Sequence, residues 1–127
     1  MNRTPARPRR SPGTGTSDGL VLDSYAILCL LGDEPGADEV ADLLESGPEL
    51  LLMTFVNLGE VLYTIMRERG SDQADAALLA LEASRLTFVP AERALTLAAA
   101  RLKARHRLSY AESFCAALSH ISGFPLL

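Results

Sequence analysis

Three short apolar runs, each followed by segments with helical spacing, constrain this chain more than any other feature. Leu20-Val21-Leu22, Leu50-Leu51-Leu52-Met53 and Leu86-Thr87-Phe88-Val89 are too short for helices and too evenly apolar for strands with one wet face. Asp23 ends the first run and Pro90 closes the third. Ser24–Leu31 has helical spacing and stops at Gly32, and Ala37–Leu44 forms a second short amphipathic segment ending near Gly47-Pro48. Thr54 caps a helix running to Arg69 and Gly70, and another helix starts at Ser71 or Asp72 and runs to about Ser84. Ala91–His106 and Ser109–Ile121 follow as helices, and Phe124–Leu127 reads as the beginning of a fourth strand. Strands alternating with helices predict βαβ units with right-handed crossovers. The expected fold is therefore α/β: a three-layer α/β/α sandwich with a short parallel sheet. Ligand sites in such sheets lie at the carboxyl ends of the strands.

At 127 residues the chain is sized for one domain. Residues 1–19, rich in Pro, Gly, Ser, Thr and Arg, read as a disordered basic tail, leaving 20–127 as the folded domain. The tail holds Arg3, Arg7, Arg9 and Arg10 against Asp18, a balance of +3, so the rest carries −7 of the net −4. An acidic body excludes a protein that coats nucleic acid over its whole surface. The tail reads either as a weak RNA-attracting arm or as a solvated extension. Cys29 and Cys115 form no Cys-x-x-Cys pair and have no ligand spacing to His106 or His120, so they read as free buried thiols of a reducing cytosol. No uncharged apolar run approaches the ~18 residues of a membrane helix. Arg9-Arg10 ahead of Leu20–Leu31 falls short of an export signal, because Ser11-Pro12-Gly13 separates the two and Asp23 interrupts the apolar stretch. The expected location is the cytoplasm.

The chemistry is carried by three isolated acids. Asp23 is the only charged residue between Leu20 and Gly32, Glu60 the only one between Leu50 and Met66, and Glu112 the only one from Leu108 to the last residue. Removing an unpaired carboxylate from water costs several kcal/mol even after relaxation, so each needs a partner. Asp23 ends the first strand. Glu60 shares a helix face with Asn57 and Thr64, opposite an expected apolar stripe of Phe55, Leu58, Leu62 and Ile65. Glu112 falls in the first turn of the last helix. All three can reach one rim, where a divalent cation would offset their repulsion. Oxygen-only ligands suit Mg²⁺ or Mn²⁺, which activate water for attack on a phosphodiester. Structural explanations stand beside this one. Asp23 can serve as an N-cap, and Ser109-x-x-Glu112 matches a capping box. Glu60, with no basic partner four residues on, has the weakest structural explanation.

Val21-Leu22-Asp23-Ser24, Val56-Asn57-Leu58-Gly59-Glu60-Val61 and Leu108-Ser109-Tyr110-Ala111-Glu112-Ser113-Phe114 resemble, in order, the three signature blocks of PIN-domain proteins. More narrowly the chain resembles VapC-type toxins of bacterial toxin–antitoxin pairs, from about Leu20 to Leu127. The resemblance implies an α/β/α fold, Mg²⁺-dependent endoribonuclease activity, a homodimer, and inhibition by a cognate antitoxin. Carried over by position, Asp23, Glu60 and Glu112 are the catalytic, metal-binding acids, and Ser24 and Asn57 orient them.

Two departures from that pattern bear on activity. The family's third block normally has Asp where this chain has Glu112, and an added methylene moves the carboxylate by over an ångström in a setting that tolerates little displacement. The family also usually continues past a Phe-Pro-Leu-Leu-like strand into Thr-Gly-Asp, so this sequence reads as shortened at that end. The alternative to an active nuclease is a weakened or silent remnant retaining dimerisation or antitoxin binding. Arg101, Lys103, Arg105 and Arg107 precede the Glu112 helix as two expected basic edges, 101/105 and 103/107, either an RNA-phosphate contact or a solvated face.

Overall fold

The middle strand of the sheet is built from the most apolar of the three runs. In the computed structural model, which describes residues 19–127, strands β1 (Gly19–Val21), β2 (Leu50–Thr54) and β3 (Leu86–Val89) form a parallel sheet in the order β1-β2-β3. Val21 lies opposite Leu52, and Leu52 opposite Thr87. Phe124–Leu127 reaches β1 as a single parallel bridge, Leu126 to Val21, rather than a full strand. Pro125 has no N–H to give to a ladder, but its carbonyl accepts from the Val21 N–H at 2.8 Å. Of the expected basic tail 1–19, residues 1–18 lie outside the described residues and Gly19 opens β1.

Side chains alternate across the sheet, and this alternation creates two cores. Leu51 and Met53 point to one face, where they pack with Leu22, Ile27, Leu58, Val61 and Ile65. Val21 and Leu52 point to the other and meet Leu95, Ala99, Phe114 and Leu118. Helices α1 (Ser24–Leu31), α2 (Ala37–Ser46), α3 (Phe55–Arg69) and α4 (Ser71–Glu82) cover the first face, and α5 (Arg93–Arg105) and α6 (Tyr110–Ser122) the second. The result is the expected three-layer α/β/α arrangement. Fully burying a Leu or Met is worth roughly 1.5–3 kcal/mol, so the packing of these side chains, more than the brief ladders, holds such short strands in place.

Two arginines close the open ends of the first helices. The Arg85 guanidinium donates to the Leu43 and Leu44 carbonyls, both at 3.1 Å, and also to those of Gly47 and Pro48. Arg69 donates to the Leu31 carbonyl at 3.5 Å. The last carbonyls of a helix run short of partners inside it: these side chains serve those of Leu31 and Leu44, while that of Leu43 also accepts from the Gly47 N–H at 2.9 Å.

Three sequence expectations change. Phe55 leaves the buried stripe of α3: it is 49% exposed and packs beside Phe88, ring centroids 5.6 Å apart. As the first residue of its helix it sits at the carboxyl end of the middle strand, and the stripe is instead Asn57, Leu58, Val61 and Ile65. Asn57, expected on a polar face, is 1% exposed. Arg107 lies beyond the end of α5, so 103/107 is not an i, i+4 helical edge.

Candidate metal centre

A cleft of about 220 Å³ opens where β1 and β2 hand over to α1 and α3, and α6 closes its far side. Asp23, Glu60 and Glu112 all line it, together with Ser24, Asn57 and Cys115. Residues far apart in sequence meet because each follows, or caps, a helix start facing the same rim. Asp23 is the N-cap of α1 and its Oδ1 accepts from the Ala26 N–H at 2.8 Å. Thr54 caps α3, accepting from the Asn57 N–H at 3.0 Å, and Glu60 stands one turn past Asn57. Ser109 caps α6 in a reciprocal box: its hydroxyl accepts from the Glu112 N–H at 3.0 Å, and Glu112 Oε1 accepts from the Ser109 N–H at 2.7 Å.

The structural explanations for Asp23 and Glu112 therefore hold alongside their convergence. Burial, and after it the negative charges of Glu60 and Glu112, push the Asp23 carboxyl above the ordinary aspartate value, while the N–H groups of Ala26 and Tyr25 pull the other way. Burial also pushes the Cys115 thiol up to about 11, with the Asp23 charge adding to it. That thiol stays protonated at neutral pH and donates to the Glu112 carbonyl at 3.3 Å, so it is an inert neighbour. Both cysteines are free and buried.

Behind the carboxylates lies a closed polar network. The Asn57 Nδ2 donates to the Ala111 carbonyl at 3.0 Å and to the Ser24 hydroxyl at 3.2 Å. Its Oδ1 accepts from the Thr54 hydroxyl, and the Ser24 hydroxyl donates to the Asn57 carbonyl at 3.2 Å. The sequence marks Thr54 only as a helix cap and does not single out the Ala111 carbonyl; the cap is what brings the Thr54 hydroxyl to the Asn57 carboxamide. None of Arg101, Lys103, Arg105 and Arg107 lines the cleft, although all four are exposed. Lys103 is engaged by the turn before α6, donating to the Leu108 carbonyl at 2.7 Å.

A parallel α/β/α sandwich with acids gathered at the strand ends defines a class of protein, and the sequence agrees with it. The chain belongs to the PIN-domain family, whose model matches residues 20–127. No curated protein matches the chain significantly in sequence. In three dimensions it is similar to VapC20 of Mycobacterium tuberculosis, a toxin that cleaves the sarcin–ricin loop, with a TM-score of 0.69 and 18% identity over 83% of this chain and 84% of that one. It is also similar to a chain of VapBC2 from Rickettsia felis bound to promoter DNA, with a TM-score of 0.66 and 12% identity over 85% of each chain. A chain of DNA-bound VapBC from Salmonella typhimurium gives a TM-score of 0.65 and 12% identity over 85% of this chain and 83% of that one.

The donor set of the cleft fits a hard divalent cation in chemistry: its carboxylates offer oxygen only, and their repulsion at Asp23 is what a cation relieves. The arrangement is open. Among the described residues no three carboxylate, thiol or imidazole groups are close enough to enclose an ion, and Glu112 Oε1 is turned back to its own helix cap. A small cation that keeps several waters and takes one or two carboxylates suits such a site. Among the described residues no helix is long and apolar enough to cross a membrane.

Proposed function

We propose that this chain is a metal-dependent endoribonuclease of the toxin type, acting in the cytoplasm, with Asp23, Glu60 and Glu112 as its catalytic acids. The observation that carries the reading is the meeting of these isolated acids in one cleft at the strand ends. Mg²⁺ or Mn²⁺ held there would supply charge neutralisation at a phosphodiester and activation of a water. Asp23, capped in place by α1, and Glu60, on the rigid second turn of α3, would hold the cation from two sides. Glu112 would complete the negative rim from α6. Exposed Arg101 and Arg105, one turn apart on α5, would bind RNA phosphates outside the cleft, with Lys103 and Arg107 adding to the local positive field. Phe55, Tyr63 and Met66 leave an exposed apolar stripe along α3, which supports a homodimer through that helix. A cognate antitoxin is the proposed protein partner, by analogy with the complexes the fold resembles.

A second reading, a catalytically silent form that keeps only its protein contacts, is favoured by the engagement of Glu112 in its capping box. The test is cleavage of structured RNA by purified protein with Mg²⁺ or Mn²⁺, beside Asp23→Asn and Glu60→Gln. Metal-dependent cleavage lost in both variants supports the nuclease. Cleavage surviving both removes these acids from the mechanism, and a wild type that dimerises yet cuts nothing supports the silent form.

A further inference from the structure

Tyr25 borders three depressions at once: the acid cleft, a groove of about 170 Å³ between α1 and α3, and an apolar hollow between α1 and α2. It is 69% exposed, and among the described residues no aromatic ring packs against it. A large amphipathic ring left in water on the first turn of a helix gives the fold itself little. Its place is fixed all the same. The Asp23 carboxylate draws on the Tyr25 N–H as well as that of Ala26, so ring and acid belong to one rigid helix start. The Cys29 thiol first, then the charges of Glu34 and Asp23, push the Tyr25 hydroxyl above the ordinary tyrosine value, so the phenol is neutral at physiological pH.

The α1/α3 groove continues the acid cleft, since Tyr25, Leu28 and Thr64 line both. Its floor is apolar, from Leu31 and Ile65. At the far end, Glu34 Oε2 and Arg69 Nη2 stand 3.2 and 3.4 Å from the point a Gly32 Cβ would occupy, so the missing side chain keeps that end open. Exposed Glu68 adds a second carboxylate. Two acids against one arginine make the groove a poor place for a phosphate. A flat apolar body whose rim donates hydrogen bonds suits it better, because ionised carboxylates only accept.

We infer that Tyr25 is a stacking platform for an unpaired RNA base next to the phosphodiester at the acids, and that this base lies in the α1/α3 groove with an exocyclic amino group toward Glu34 or Glu68. The inference rests on the nuclease reading and adds to it a base preference. Proteins commonly hold splayed-out bases by stacking them on aromatic side chains. A carboxylate accepting from the cytosine amino group is a recurrent means of telling that base from others. Uracil carries a carbonyl oxygen at the same ring position, which would set one acceptor against another. Charge divides the work: the cation takes the phosphate, and the groove takes the base.

The test uses short single-stranded oligocytidylate, oligouridylate and an abasic ribose-phosphate chain of equal length, each bound to purified protein in Ca²⁺ and measured by filter binding. The variants are Tyr25→Ala, Tyr25→Trp, Glu34→Gln combined with Glu68→Gln, and Leu79→Ala, a 70% exposed site on α4. The chain has no tryptophan of its own, so Tyr25→Trp carries the only indole and its fluorescence reads the platform directly. Tyr25→Ala is expected to bind oligocytidylate about five- to tenfold more weakly, at the low end for stacking because the site is open. The indole is expected to be quenched by both base-bearing oligomers and not by the abasic chain. The wild type should favour oligocytidylate over oligouridylate by roughly threefold, a preference the double glutamine variant loses. Leu79→Ala should match the wild type throughout. Oligocytidylate binding unchanged in Tyr25→Ala, or an indole that the abasic chain quenches equally, overturns the platform and leaves the exposed ring to a protein partner. Equal binding of the two oligomers by the wild type overturns the amino-group preference. Where the same preparation still cuts structured RNA, only the platform or its preference has failed. A wild type that neither cuts nor binds RNA overturns the nuclease reading beneath it.

Discussion

Replacing Glu112 separates its two employments. Its Oε1 closes the capping box on the Ser109 N–H at 2.7 Å, and the same carboxylate lines the acid cleft. In Glu112→Asp the side chain is one methylene shorter and no longer reaches back to Ser109, while the Ser109 hydroxyl still accepts from the backbone N–H of residue 112. Half of the box is lost. A cap interaction is typically worth about 1 kcal/mol, and this one is exposed, so the expected loss is about 0.5–1 kcal/mol. For a domain of this size that lowers Tm by roughly 2–5 °C. Glu112→Gln keeps the box, since glutamine is its other usual member, but removes a negative charge near a helix N-terminus, worth about 0.3–1 kcal/mol. Urea denaturation of metal-free protein measures the stabilities, and RNA cleavage in Mn²⁺ measures the other role. The aspartate variant is expected to lose stability yet keep or gain cleavage, because its carboxylate is released from the cap. The glutamine variant is expected to lose cleavage along with about 0.3–1 kcal/mol of stability. An aspartate variant as stable as wild type would show the return bond contributes nothing, and full cleavage by the glutamine variant would remove Glu112 from the site.

Asp23→Asn keeps an N-cap oxygen for the Ala26 N–H but removes a carboxylate disfavoured by burial and by two like charges, so metal-free Tm should rise. The folded protein raises the Asp23 carboxyl above 3.8, so the stabilisation from its protonated form is lost as pH rises through that raised value. The Tm difference between variant and wild type should therefore be larger at pH 7 than at pH 3, and a pH-independent difference would refute the assignment. Arg85→Met should cost about 1–2 kcal/mol in urea denaturation by freeing the carbonyls at the end of α2, with no change in Mn²⁺ uptake. Arg101→Ala combined with Arg105→Ala should weaken RNA binding and flatten its salt dependence while leaving Mn²⁺ affinity intact, as measured by filter binding across a salt series.

The elements that periodicity defines were legible in the sequence. The three apolar runs became the three strands within a residue or two, and Thr54, Gly70 and Ser109 bounded their helices as capping chemistry requires. The shared cleft was legible for an electrostatic reason: a lone acid in an apolar segment has few places to go other than a polar rim. Asn57 was harder to read. A polar residue three before Glu60 looks like part of a wet helix face, and its burial depends on groups 33 and 54 residues away. Phe55 was misplaced because apolar spacing does not say which residue at a strand's end stays outside the packed layers, and the Arg85 clasp left no local pattern at all.

Three helix starts open toward the same hollow, those of α1, α3 and α6. The backbone at each presents a partial positive charge of roughly half a unit, so the acids are partly compensated before any ion arrives. Folding and loading are thereby uncoupled. On the proposed reading, a chelator removes the cation and leaves the fold standing, ready to take up another.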